Sequence, residues 1–149
     1  MMLSEMNEAL WKLPFPSSER DSLKFQKLPG RSCVLICSAI EQGIFQIVFE
    51  GVESFKCTYD HACTVEMIQT YDTLSDMGYT DWLRSIKEQL LSVGDGGHGL
   101  RHLMMYFDDG PCYEFICRSF TIRIGNRNPT SGLQRTRLRA ALIETRNEG

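Results

Sequence analysis

No hydrophobic run in this sequence approaches the length of about 20 residues that a membrane-spanning helix needs. The first six residues lack the basic start and apolar core of a secretory signal. No serine lies in a nucleophile-elbow pattern, and the glycine-rich segment 94–99 lacks the Lys-Ser/Thr pair of a P-loop. We therefore expect a soluble, cytoplasmic protein with no membrane partner, and the sequence offers no motif that assigns an enzyme class.

Positive charge is scarce over most of the chain and concentrated at its end. Residues 1–117 contain 9 Lys and Arg against 17 Asp and Glu, whereas residues 118–149 contain 7 Arg and 2 Glu. We interpret residues 126–149 as a basic tail that docks on its own chain, joins subunits or attracts an acidic partner. Within it, Arg135, Arg137 and Arg139 are candidates for binding a polyanion. Nucleic acid is a disfavoured partner, because no aromatic residue alternates with these arginines and the acidic remainder repels phosphates.

The six cysteines lack the paired spacing typical of a structural zinc site. They lie in apolar, strand-like segments, which favours reduced and buried thiols. The alternative is a zinc ion held by Cys57, His61 and Cys63 together with Cys33 and Cys37, since these soft ligands suit that metal. We expect no metal and no cofactor.

Apolar runs predict an antiparallel sheet of about five strands. The strongest signal lies at residues 103–117, where Asp109-Gly110 separates two strand-forming runs and supplies the positive φ angles of a tight turn. Beyond this hairpin the apolar positions change parity, which predicts a one-residue bulge near Arg118 and Ser119. Further strands are predicted over residues 33–37, 44–52 and 55–59.

Helical spacing of apolar residues and cap signals predict the remaining elements. Thr64 is placed to cap one helix, and Trp82 leads the buried stripe of another. Helices are predicted over residues 5–13, from Thr64 to a stop signal at Gly78, and over residues 80–93. The expected fold class is α+β, with two helices packed on one face of the sheet. We expect residues 1–149 to form a single domain, with residues 1–30 as a loosely attached N-terminal segment.

Two motifs carry a resemblance to other proteins. They are Tyr71-Asp72-x-Leu74-x-Asp76-x-Gly78 followed by Trp82-Leu83, and the hairpin segment 101–117. With these motifs the chain resembles a group of small bacterial proteins of uncharacterised function. The order of hairpin, helices and hairpin is also similar to that of small immunity proteins, which neutralise toxins by binding them. The resemblance covers residues 44–124 and supplies no site residues.

Acidic side chains form the main candidate site. We interpret the chain as a non-enzymatic protein-interaction module, immunity-like or regulatory, in which Asp95, Asp108, Asp109 and Glu114 bind a basic protein partner. An exposed strand edge also offers a route to a homodimer.

The alternative is an enzyme or a small-ligand site. His102, Tyr106 and Tyr113 are predicted to line a pocket between the sheet and the helices. A deep, partly polar pocket favours this alternative, whereas a filled core with an acidic face favours the interaction module.

Overall fold

The computed structural model describes residues 7–125, which form two packed antiparallel sheets. The strands in this part of the chain are β1 (Glu8–Lys12), β2 (Ser22–Leu28), β3 (Ser32–Ala39), β4 (Gly43–Glu50), β5 (Ser54–Thr58), β6 (Thr73–Asp76), β7 (Arg101–Tyr106), β8 (Cys112–Cys117) and β9 (Ser119–Gly125); the helices are α1 (Val65–Ile68) and α2 (Asp81–Leu91). One sheet has the strand order β1-β6-β7-β8-β5 and the other β2-β3-β4-β9. The predicted antiparallel strands are confirmed, but the described part of the chain is mostly β with some helix, and two sheets replace the single sheet of the expected α+β fold.

The hydrophobic core fills the space between the two sheets. Side chains alternate along a strand, so every second residue of β8 faces the other sheet, including Tyr113 and Phe115. Phe49 of β4 stacks on Phe115 with ring centroids 3.9 Å apart, and both rings are buried. This contact joins the sheets at the centre of the sandwich.

The apolar positions change parity after β8 because the chain passes there from one sheet to the other. Arg118 separates β8, in the five-stranded sheet, from β9, in the four-stranded sheet. Phe120 and Ile122 of β9 lie in the same core as Phe115 of β8. The apolar pattern is therefore real, because both strands face one core from opposite sides, but the predicted bulge is wrong.

Both helices contact β7 on the outer face of the five-stranded sheet. Helix α2 begins where Thr80 Oγ1 accepts a hydrogen bond from the backbone N–H of Leu83, and its prediction is confirmed. Thr64 caps α1 as predicted, but this helix is a single turn. Asp72 adopts a φ of 54°, and the chain continues as β6 instead of the helix predicted from Thr64 to Gly78.

Residues 1–30 were expected to be loosely attached, but this range contains β1 of one sheet and β2 of the other. Strand β1 pairs with β6 and replaces the predicted helix 5–13, while β2 pairs with β3. Leu13 and Phe15, between these strands, are buried in the core. The predicted basic tail 126–149 lies outside the described residues, so the single domain over the whole chain stays a prediction.

Candidate functional site

One end of the sandwich carries the β7–β8 hairpin turn, which packs against the 3-10 turn Asp60–Ala62. The hairpin forms as the sequence predicts, with φ angles of 63° at Asp109 and 71° at Gly110. A Cβ on Gly110 would lie 2.9 Å from the backbone nitrogen of Asp60. Glycine at this position therefore permits both the turn and the close approach.

Side-chain hydrogen bonds hold the hairpin turn to its neighbours. The Tyr106 hydroxyl donates to Asp60 Oδ1 at 2.8 Å, and the Tyr71 hydroxyl donates to Asp108 Oδ1 at 3.2 Å. The bond to Asp60, more than burial, raises the pKa of Tyr106 to about 12. The Arg20 guanidinium donates to the Asp108 carbonyl at 3.2 Å. These bonds join the hairpin, the 3-10 turn and the segment after α1 into one surface.

We call this end of the molecule the tip surface. It is defined by its accessible residues Tyr59, Val65, Glu66, Ile68, Tyr71, Asp108 and Asp109. Tyr59 is 74% exposed and Val65 is 68% exposed, and Ile68 and Tyr71 are also exposed. Segments 59–72 and 106–111, which build this end, contain five acids and no Lys or Arg; Asp72 is buried, and Arg20, from outside these segments, contacts the hairpin turn. The tip surface therefore combines large apolar side chains with negative charge.

The structure separates the four acids that were expected to form one binding surface. Asp108 and Asp109 lie on the tip surface. Asp95 lies at the other end of the sandwich, where its carboxylate is 3.8 Å from Arg118 Nη2. Glu114 is 3% exposed and lies on the outer face of β8. Only two of the four acids that were expected to bind a partner therefore share one surface.

The apolar part of the tip surface was not predicted from the sequence. The segment from Thr64 to Gly78 was expected to be a helix with one buried side, whereas α1 is too short to bury Val65 and Ile68. One feature of the sequence could have indicated this surface. Residues 59–72 contain three acids and no Lys or Arg.

A buried polar chain links α2 to the five-stranded sheet. His102 Nδ1 lies 2.8 Å from Thr80 Oγ1, and His102 Nε2 lies 2.8 Å from Glu114 Oε1. Hydroxyl, imidazole and carboxylate in this order are typical of a nucleophilic site. Here, however, Trp82 packs edge-on against His102, which is only 5% exposed, and Thr80 Oγ1 already accepts the Leu83 N–H bond. The chain of bonds therefore anchors α2.

The three residues of the predicted ligand pocket do not meet. His102 and Tyr106 lie on the outer face of β7, which the helices contact. Tyr113 lies in the core between the sheets, where it stacks on Phe25 with ring centroids 5.7 Å apart. Burial there raises the pKa of Tyr113 to about 12.

The cysteines weighed as zinc ligands occupy different environments. Cys33 and Cys37 are buried between the sheets, whereas Cys57 is exposed on the edge strand β5. Burial raises the pKa of Cys37 to about 11, which keeps its thiol protonated at neutral pH. Residues 7–125 contain no group of three or more His, Cys, Asp or Glu side chains placed to hold a metal ion.

No family model, curated protein or solved structure matches the chain. The resemblances to small bacterial proteins and to immunity proteins therefore stay predictions. In the described part of the chain, no helix is both long and apolar enough to cross a membrane. The candidate polyanion ligands Arg135, Arg137 and Arg139 lie outside the described residues.

Proposed function

We propose that this chain is a non-enzymatic protein-interaction module whose tip surface binds a basic surface of a protein partner. One observation carries the proposal. Tyr59 and Val65 are mostly exposed on a surface whose two chain segments contain acids but no Lys or Arg. Exposed apolar side chains that lie together with charge of predominantly one sign are typical of a recognition surface.

The apolar side chains supply the affinity in this proposal. Complete burial of a large apolar side chain is worth about 1.5–3 kcal/mol, and tyrosine is among the residue types that most often dominate interface energies. Tyr71 is already oriented by its hydrogen bond to Asp108, so less side-chain entropy is lost when a partner covers it.

The acidic side chains supply specificity and speed of association. Glu66, Asp108 and Asp109 complement Lys and Arg on a partner, and such charges act mainly on the association rate. They also repel phosphate groups, which argues against nucleic acid at this surface. An immunity-like role, in which the tip surface covers a basic region of a toxin, is one form of the proposal, and we place the partner in the cytoplasm.

The proposal is tested by affinity capture from native-host lysate with three immobilised proteins. They are the wild type, a tip variant (Glu66→Arg with Asp109→Asn) and a control variant (Glu88→Arg with Glu50→Gln). Both variants change the net charge equally, and the control residues are exposed on α2 and at the end of β4, away from the tip surface. Asparagine tolerates the positive φ of position 109.

We expect a protein that the wild type and the control variant retain and the tip variant loses. Its retention should fall as salt rises, because exposed charges are screened, and should also fall with Tyr59→Ala. The proposal is refuted if every protein retained by the wild type is retained equally by the tip variant.

A further inference from the structure

A second candidate site lies at the end of the sandwich opposite the tip surface. Strand β2 runs from one end of the sandwich to the other. It starts beside Arg20, which contacts the hairpin turn, and its last residues line a groove of about 470 Å³. Leu28, Val52 and Phe55 supply its apolar lining. The groove lies between β2 and β5, which are edge strands of different sheets. Its volume is within the range of about 300–1,000 Å³ that small-molecule sites occupy.

Lys27 carries positive charge into this groove. Side chains alternate along a strand, so Lys27 has the same orientation as Leu23 and Phe25, which pack toward the core between the sheets. Its register partner on β3 is Cys33, which also lines the groove. Lys27 forms no salt bridge with any residue in the range 7–125.

The acid in the groove is already neutralised. Glu53 Oε2 lies 2.8 Å from Arg31 Nη1 and 3.1 Å from Arg118 Nη1, and the Glu53 side chain is 11% exposed. Arg31 has a φ of 63°, and its carbonyl accepts a hydrogen bond from the Val52 N–H, which holds the Arg31 backbone beside the groove. Asp95 also lies 3.8 Å from Arg118 Nη2, so the three cationic groups Lys27, Arg31 and Arg118 exceed the two carboxylates by one positive charge, which Lys27 supplies.

We infer that this groove binds a small amphiphilic anion, a molecule with one carboxylate or phosphate group and an apolar body. The anionic group lies between Lys27 and Arg31, and the apolar body covers Val52 and Phe55. Charge complementarity and a cavity of small-molecule size carry this inference. The site is separate from the tip surface, so it neither depends on nor supports the proposed protein partner.

Isothermal titration of the full chain tests the inference with four probes that share one apolar chain. Decanoate and decyl phosphate are the anions and separate the two possible head groups, while decanol and decyltrimethylammonium are the neutral and cationic controls. We expect saturable binding of at least one anion and none of the cation. Lys27→Gln should weaken anion binding about tenfold, because a charge-assisted hydrogen bond is lost. Lys24→Gln, on the opposite face of the same strand, should leave it unchanged.

The main alternative is that Lys27 is an inward-pointing charge that prevents sheet edges from pairing. In that case no probe saturates, and Lys27→Gln increases self-association in light scattering. The inference is also overturned if decanol binds as tightly as decanoate, or if Lys24→Gln and Lys27→Gln weaken binding equally. Circular dichroism of each variant checks that the sheets are intact.

Discussion

The buried pair of His102 and Glu114 predicts an unequal response to removal of its two members. Glu114 Oε1 is bonded to His102 Nε2 at 2.8 Å, and Oε2 has no hydrogen-bond partner among the described residues. Replacement of His102 by leucine leaves a buried carboxylate without any partner, which costs about 3–5 kcal/mol. Replacement of Glu114 by methionine leaves one imidazole N–H unpaired, which costs about 1–3 kcal/mol.

Urea denaturation measures these costs directly. With a slope of about 2 kcal/mol per molar urea, His102→Leu should lower the unfolding midpoint by about 2 M, and Glu114→Met should lower it by less. The double variant should be more stable than His102→Leu alone, since an apolar pair leaves no buried charge. His98→Leu, at an exposed loop histidine, is the matched control and should change stability by less than about 0.5 kcal/mol.

Two results would refute this reasoning. The first is a cost of Glu114→Met that equals or exceeds the cost of His102→Leu. The second is additivity of the two changes within about 0.5 kcal/mol, because contacting partners in one buried network should be coupled more strongly than that.

Three further predictions follow from burial and close packing. Iodoacetamide should label the exposed Cys57 of the folded protein and leave the buried Cys117 unmodified, as read by mass spectrometry; equal labelling would contradict the core assignment. Because the pKa of Tyr106 rises from 10 to about 12 on folding, its contribution to stability is complete below pH 10 and is lost as the pH rises to about 12. The fall in unfolding free energy over this interval should therefore be shallower in Tyr106→Phe, and an unchanged slope would count against the assignment. Gly110→Ala should destabilise more than Gly30→Ala in thermal unfolding, because both glycines have positive φ but only Gly110 meets backbone within 3 Å; equal losses would show that the close approach is absent.

Local signals were sufficient for the hairpin of β7 and β8 and for helix α2. Asp109-Gly110 determines the turn from its own conformational preferences, and Thr80 and Leu83 form a cap within a few residues of each other. The errors concern elements whose partners are distant in sequence. Strand β1 pairs with β6, and this pairing overrides the helical spacing of apolar residues near the N-terminus.

The two-sheet arrangement and the tip surface were harder to predict for related reasons. The parity change near Arg118 is compatible with either a bulge or a change of sheet, and only long-range packing decides between them. Similarly, Ile68 and Tyr71 have helical spacing, but Asp72 leaves the helical region and accepts a hydrogen bond from the distant Ser17 N–H. The predicted acids Asp108 and Asp109 reached the tip surface because they belong to the hairpin turn.

The opposite placement of charge along the strands has an electrostatic consequence. Glu66, Asp108 and Asp109 lie on the tip surface, whereas the basic groups at the groove offset Glu53 and Asp95, so the described part of the molecule is more negative at the tip surface and has an electric dipole directed along the sandwich. In the field of a positively charged macromolecule, this dipole rotates the protein so that the tip surface approaches first. For the proposed basic partner, the orientation would therefore be selected before contact, in part by residues that lie outside the tip surface.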